Sequence, residues 1–478
     1  MECYVGIDFG TTHVKAGLFD EAGRQLALER VPTPTRNDGV GSVYDPAEIA
    51  DILRELLAAL QPPHKPVGIV VTGMAEAGIL LHRAQGKTLS AVLPWFDRRT
   101  APLAAALPEE TAAARFYETG LRNSFKYGIY KYRWCLAHSD VPAAETIWLS
   151  AVDYVVYLLT GAYVTDPSFA ARTYAYDINR EEFDLPWLAQ SGLGRENFPA
   201  VLPSGSAVGG CRLAGWEDIP VYIGAHDHLC AAFGMSLVDD KAVFNSCGTA
   251  ETYLGAMVPR PLTEEDCRTG YAFGPFPDGR RFWMANISAS GLSMEWYRER
   301  VQLKALSYEE VDRRLRADAA PSGILYFPAL TGMGTPCFRQ DFPAAFLGMG
   351  PSHTGDDLLR AVVEGIALQG RLILAPVLAG QRTIPAVLSV GGATESGGWM
   401  QRKADVLGLT VRTFAQKEAT LTGAVALMLW RNRGETAART FYSGLQGGVS
   451  YPADPARHQA YEEMYRRYCR WYTVLAEH

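Results

Sequence analysis

The sequence has no apolar run near the ~20 residues that span a bilayer, no Cys-x-x-Cys pair and no excess of positive charge. Each absence removes a class of protein. Cys3, Cys135, Cys211, Cys230, Cys247, Cys267, Cys337 and Cys469 are scattered without zinc-like spacing, so reduced, buried thiols are expected rather than a disulfide scaffold or a metal finger. Lys and Arg number 45 against 52 Asp and Glu, with a net charge of −7, so neither nucleic acid nor an anionic membrane is expected as a partner. An apolar strand begins within the first few residues and leaves no room for a signal peptide; a cytoplasmic location is expected. What is present is a globular composition, 48% apolar and 20% charged. Its 478 residues are too many for one core, and two or three domains are expected.

The opening stretch YVGIDFGTTHVKAGLFDEAGR (residues 4–24) predicts a strand hairpin around Val5 and Ile7, then Val14 to Phe19. The turn between them carries Asp8, Gly10, Thr11 and Thr12. One carboxylate, two hydroxyls and a close-approaching backbone suit a metal-bound phosphate, although a merely polar turn would look the same. The plan recurs in AVFNSCGTAETYLG (residues 242–255), where Gly248 and Thr249 occupy the turn and Ser246 stands where Asp8 would align. Thr249 follows Thr11 by almost half the chain, which suggests a duplicated unit. The polar break at residues 236–242 marks the expected boundary between domains 1–237 and 238–478. PAEIADILRELLAAL (residues 46–60) predicts a helix with one apolar face, and residues 66–73 a buried strand. The aromatic stripe of residues 455–477 reads as a packing face. Two α/β domains with mixed sheets follow.

VYIGAHDHLCAAFG (residues 221–234) places His226, Asp227 and His228 where a strand gives way to a helix. A carboxylate there is stabilised as an anion and can accept a proton or orient a hydroxyl. A plain helix cap is the competing reading. A transition-metal site is discounted, because residues two apart on a helix do not face each other. Gly86-Lys87-Thr88 imitates the tail of a Walker loop, but Leu81 fills the position of the required first glycine.

With these segments in order, the chain resembles the FGGY carbohydrate kinase family nearly end to end. DFGTT (8–12) and SCGTA (246–250) resemble its two phosphate loops, PWFDRRT (94–100) its W-x-D-x-R segment, and residues 153–177 its LTG turn and T-D-x-S-x-A-x-R-T stretch. AAFLGMGPSHTGDDLLRAVVE (344–364) fits its C-terminal signature, and GGATESGGWMQRKADVLG (391–408) its adenosine turn and helix. The resemblance implies two duplicated ribonuclease-H-like, actin-like domains with ATP and sugar between them. It implies Asp8 for Mg²⁺; Gly10, Thr11, Thr12, Gly248 and Thr249 for phosphates; and Gly392, Ala393 and Ser396 for adenosine. Lys15 would pair with phosphate or stay exposed on its hairpin. Asp227 would be the catalytic base. Glu76, Trp95, Asp97, Asp227 and His228 would hold the sugar, unless Asp97 only pairs with Arg98 or Arg99. The implied function is ATP-dependent phosphorylation of a ketose, a xylulose-like pentulose first, or of another polyol, hexulose or sugar acid. A catalytically silent sugar-binding regulator and an actin-like ATPase are the rival readings, and a homodimer is left open. Departures from the family pattern fall at Gly332-Met333-Gly334-Thr335-Pro336, at residues 73–78, and around residues 127–136, where the N-terminal signature is only partly present.

Overall fold

β1 (Cys3–Phe9) is buried along almost its whole length, which places it inside a sheet covered on both faces. The computed structural model, which describes residues 2–302, 304–317, 320–380, 383–443 and 447–477, shows that sheet. β1 pairs antiparallel with β2 (His13–Asp20), and β3 (Gln25–Pro32) adds antiparallel to β2. On its other side β1 runs parallel to β4 (Gly68–Gly73). With β5 (Ala207–Gly210) and β6 (Pro220–His226), the order is β5–β6–β4–β1–β2–β3.

The second sheet repeats this plan. β7 (Val243–Cys247) pairs antiparallel with β8 (Glu251–Met257), and β9 (Ala272–Pro275) and β10 (Arg281–Ile287) extend that side. β11 (Val387–Val390) lies parallel to β7, followed by β12 (Val411–Thr413) and β13 (Ser450–Tyr451). The order is β9–β10–β8–β7–β11–β12–β13. In both sheets a central hairpin has a third antiparallel strand on one side and a parallel strand on the other. The duplication inferred from two short turns is therefore architectural.

α1 (Pro46–Leu60) has the expected span, because each of its signals agrees. Asp45 accepts a capping bond from Ala47 N at 2.9 Å, proline occupies the first turn, and Ile49, Ile52, Leu53, Leu56, Leu57 and Leu60 are all buried. α2 (Asp227–Ser236) leaves β6 without an intervening loop. α3 (Gly355–Ala379) is the one helix among the described residues long and apolar enough to cross a membrane, yet Leu359, Val362, Ile366 and Ile373 are buried in the core. α4 (Gly397–Leu407) and α5 (Ala419–Arg433) follow. α6 (Pro455–Glu477) buries Tyr461, Met464, Tyr468 and Tyr472, and Tyr468 stacks on Phe327 at 4.5 Å between ring centres, so its aromatic stripe is a packing face.

The two lobes meet where α5 crosses α2. A Cβ on Gly423 would come within 2.0 Å of the Cys230 carbonyl oxygen, so only glycine permits this backbone approach. Leu421, Ala424 and Val425 of α5 share one core with Tyr4, Phe19 and Val70 of the first sheet and Phe244 of the second. At the head of α5, Glu418 pairs with Lys15 of β2 at 2.8 Å.

Candidate active site

The first phosphate-loop candidate is held from behind. Thr33 Oγ1 donates to the Gly10 carbonyl at 2.7 Å, and Thr33 N donates to the Thr12 carbonyl at 2.9 Å. Asp8, near the end of β1, has a buried Oδ1 with no hydrogen-bond partner. Burial first, and then repulsion from Asp227, push its carboxyl up to about 7 against the pull of Lys15. A buried, unpartnered carboxylate oxygen beside a hydroxyl-rich turn fits a hard, oxygen-seeking cation, so Mg²⁺ suits this position. Lys15 is committed to Glu418, so phosphate pairing would require breaking that bridge.

The matching loop in the second lobe is fixed through its carbonyls: Gly248 accepts from Gly291 N at 3.0 Å, and Thr249 from Ser290 N and Leu292 N at 3.1 Å. Gly391, at φ +100°, approaches so closely that a Cβ would stand 2.5 Å from the Cys247 carbonyl oxygen. Beneath the loop, Lys403 donates to Glu251 at 2.8 Å and to Asn245 at 2.9 Å, and both members of the ion pair are wholly buried. Glu251 also accepts from Ser290 Oγ at 2.9 Å, which ties the pair to the loop. Sequence reasoning missed this pair. Gly392 and Ala393 lie in the single turn Gly392–Glu395, and a Cβ at Gly392 would meet open space. Ser396 is occupied otherwise than expected: its hydroxyl caps α4 by accepting from Trp399 N at 3.2 Å and donates to Asp312 at 2.7 Å.

Between the lobes lies a cleft of about 940 Å³, lined from one side by Thr11, Glu76, Trp95 and Asp227 and from the other by residues including Asn286 and Met333. His226 and His228 line it as well. Asp227 is the first residue of α2, and His226, not Asp227, is the N-cap. His226 Nε2 is 2.9 Å from Asp227 Oδ1, and His228 Nδ1 lies 2.8 Å from the same oxygen without hydrogen-bond alignment. Burial opposes the Asp227 charge, but the two imidazoles outweigh it and hold the carboxyl well below the usual range. Burial lowers His226; at His228 the Asp227 charge overcomes burial and raises it. The reason for discounting a metal here is thus corrected: His226 sits outside the helix, so all three side chains converge, with ligand atoms within 4.8 Å of one another.

Glu76 adopts φ +60° and points its carboxylate at Arg172 (3.3 Å) and Lys126 (3.6 Å). Burial would raise its pKa, but Lys126 and Arg172 override it and bring it to about 2. Trp95 donates from Nε1 to Thr11 Oγ1 at 2.9 Å. Asp97 is not brought into the cleft wall with the others. It is buried against Arg99, which bonds Oδ1 at 2.7 Å and Oδ2 at 3.1 Å and reaches Asp38 as well. The pairing alternative is the one observed, because a bidentate guanidinium satisfies both carboxylate oxygens. Lys126 and Arg172 were the residues overlooked; Arg172 lay within the quoted 153–177 stretch, whereas nothing local marks Lys126.

Two actin-like lobes, each with a glycine–threonine turn closing its central hairpin, and between them a polar cleft lined by Thr11, Glu76 and Asp227 but not by Gly248 or Thr249, define a phosphotransferase. Residues 3–234 match the N-terminal domain and residues 243–431 the C-terminal domain of the FGGY family of carbohydrate kinases, and the chain belongs to that family. It is 26% identical to glycerol kinase of Limosilactobacillus reuteri (strain DSM 20016), over 90% of this chain and 91% of that one. It is 25% identical to xylulose kinase of Bacillus subtilis (strain 168), over 99% and 97% respectively. A gluconate kinase structure from Lactobacillus acidophilus shares the fold, with a TM-score of 0.90 at 19% identity, covering 99% of this chain and 98% of that one. The protein is an ATP-dependent carbohydrate kinase.

Proposed function

We propose that the enzyme transfers the γ-phosphoryl group of ATP to a hydroxyl of a ketose, a xylulose-like pentulose first, with other polyols, hexuloses and sugar acids as the alternatives. Curated relatives named for xylulose and for glycerol support a small polyhydroxylated acceptor. One observation carries the assignment of roles: Asp227, kept ionised between two imidazoles, lines the same cleft as Thr11 of the first phosphate loop.

Asp227 accepts a hydrogen bond from the acceptor hydroxyl and takes its proton as the new P–O bond forms and ADP leaves with the electrons of the broken one. A carboxylate held this far down is a weak base toward an alcohol, so its work is alignment more than early deprotonation. Mg²⁺ at Asp8 would neutralise charge on the transferring group. Gly10 to Thr12 and Gly248 with Thr249 address the phosphates from the two lobes, and Gly392 and Ala393 border the adenosine. Glu76, Trp95 and His228 bind the acceptor. We take residues 1–237 and 238–478 as the two domains and the cytoplasm as the location.

The test is ADP release from Mg-ATP across ketopentoses, ketohexoses, tetritols, glycerol and gluconate, with wild type and Asp227→Asn. One strong responder, lost in the variant, supports the reading; full turnover in Asp227→Asn overturns it.

A further inference from the structure

Lys126 lines the cleft beside Glu76. Its Nζ stands 3.6 Å from Glu76 Oε1, beyond hydrogen-bond length, so the two charges attract without consuming each other. Arg172 also addresses Oε1, which leaves Oε2 for another donor. The arrangement is built rather than incidental. Lys131, wholly buried, donates to the backbone carbonyl of Glu76 and, at 2.7 Å, to that of Lys126. A single side-chain nitrogen thereby fixes two chain segments fifty residues apart and sets their side chains next to each other. It also supports the left-handed backbone of Glu76, a conformation sparsely populated outside glycine.

We infer that Lys126 is a specificity residue, and that with Glu76 it reads two neighbouring oxygens of the acceptor, a vicinal diol or an α-hydroxyketone. The ammonium donates to one oxygen, carbonyl or hydroxyl, and the carboxylate accepts from the hydroxyl on the adjacent carbon. Each group supplies what the other lacks, since ammonium has only donors and carboxylate only acceptors. A lone alcohol engages one of them and leaves the other without its contact to the acceptor. This inference rests on the sugar-kinase reading above.

The experiment compares glycerol with 1,3-propanediol, and D-xylulose with its 1-deoxy, 3-deoxy and 4-deoxy analogues, because any adjacent pair of oxygens in the ketose is broken in at least one of the three. Wild type, Lys126→Met and Lys126→Arg are assayed with whichever acceptor drives ADP release. Wild type is expected to prefer the complete pair by about 10-fold or more in kcat/KM, the worth of one charge-assisted hydrogen bond. Lys126→Met should raise KM by about the same factor, with kcat moving less, and bring the preference toward unity; Lys126→Arg should recover part of it. Turnover with KM and preference unchanged in Lys126→Met overturns the inference alone. Silence of wild type across every acceptor overturns the proposed acceptor class and takes this inference with it.

Discussion

Trp95 Nε1 donates to Thr11 Oγ1 at 2.9 Å, so a residue we propose to hold the sugar touches the turn we propose to hold phosphate. Trp95 is 41% exposed in the cleft, and this bond gives its indole a fixed orientation. Trp95→Phe and Thr11→Val each delete it while keeping shape. Their effects on kcat/KM should be less than additive, with a coupling of about 0.5–1.5 kcal/mol in a double-mutant cycle. Strict additivity would show that the bond does not survive in the working enzyme.

Asp227→Asn preserves the shape of the proposed base but not its charge. We expect kcat to fall by at least ~100-fold, with KM for the acceptor changing far less, because proton acceptance is needed only in the transition state. Steady-state kinetics on the responding sugar decide this. A rise in KM at constant kcat would make Asp227 a binding group only.

The buried Lys403–Glu251 pair makes a stability prediction. Lys403→Met leaves Glu251 charged without its partner and should cost about 3–5 kcal/mol in urea unfolding. Replacing both by methionine should recover much of that loss, since the uncompensated charge disappears with its partner. If the double variant is no better than the single one, the pair's remaining bonds to Asn245 and Ser290 dominate.

Lys131 should impose a pH dependence on stability. Burial lowers its pKa from 10.5 to about 7, so between those values the unfolded chain binds the extra proton. Stability attributable to this residue therefore rises from about pH 7 toward pH 10 and is lost as pH falls through 7. The difference in melting temperature between wild type and Lys131→Met should widen in favour of wild type from pH 7.5 to pH 9.5. A constant difference would show that Lys131 titrates alike in both states.

Much of the fold was legible in the sequence because its signals are local. The helix at residues 46–60 carries its cap, its proline and its apolar face within fifteen residues, and all three agree with the structure. The two glycine–threonine turns were readable for the same reason, and Asp8, Glu76, Trp95 and Asp227 could be singled out from short motifs. What could not be read was pairing at a distance. Lys403 and Glu251 are 152 positions apart, and Arg172 and Glu76 are 96 apart, so no window contains both partners. Asp97 could equally serve a ligand or a neighbour, and only the position of Arg99 in space decides between them. The histidines around Asp227 were misjudged because one residue of helix boundary determines whether they diverge or meet.

The crossing of α5 over α2 has a consequence for the duplication itself. α5 is encoded in the second half, yet its Leu421 and Val425 lie in one core with the first half's sheet, and Gly423 seats it against the backbone of the helix that carries Asp227. Each repeat has thus surrendered part of its interior to the other. A gene severed at residue 237 would yield two fragments with open apolar faces, which neither could cover alone but which fit each other. The repeats began as copies and have become complements: expressed together as separate chains they should find one another, and expressed singly they should aggregate.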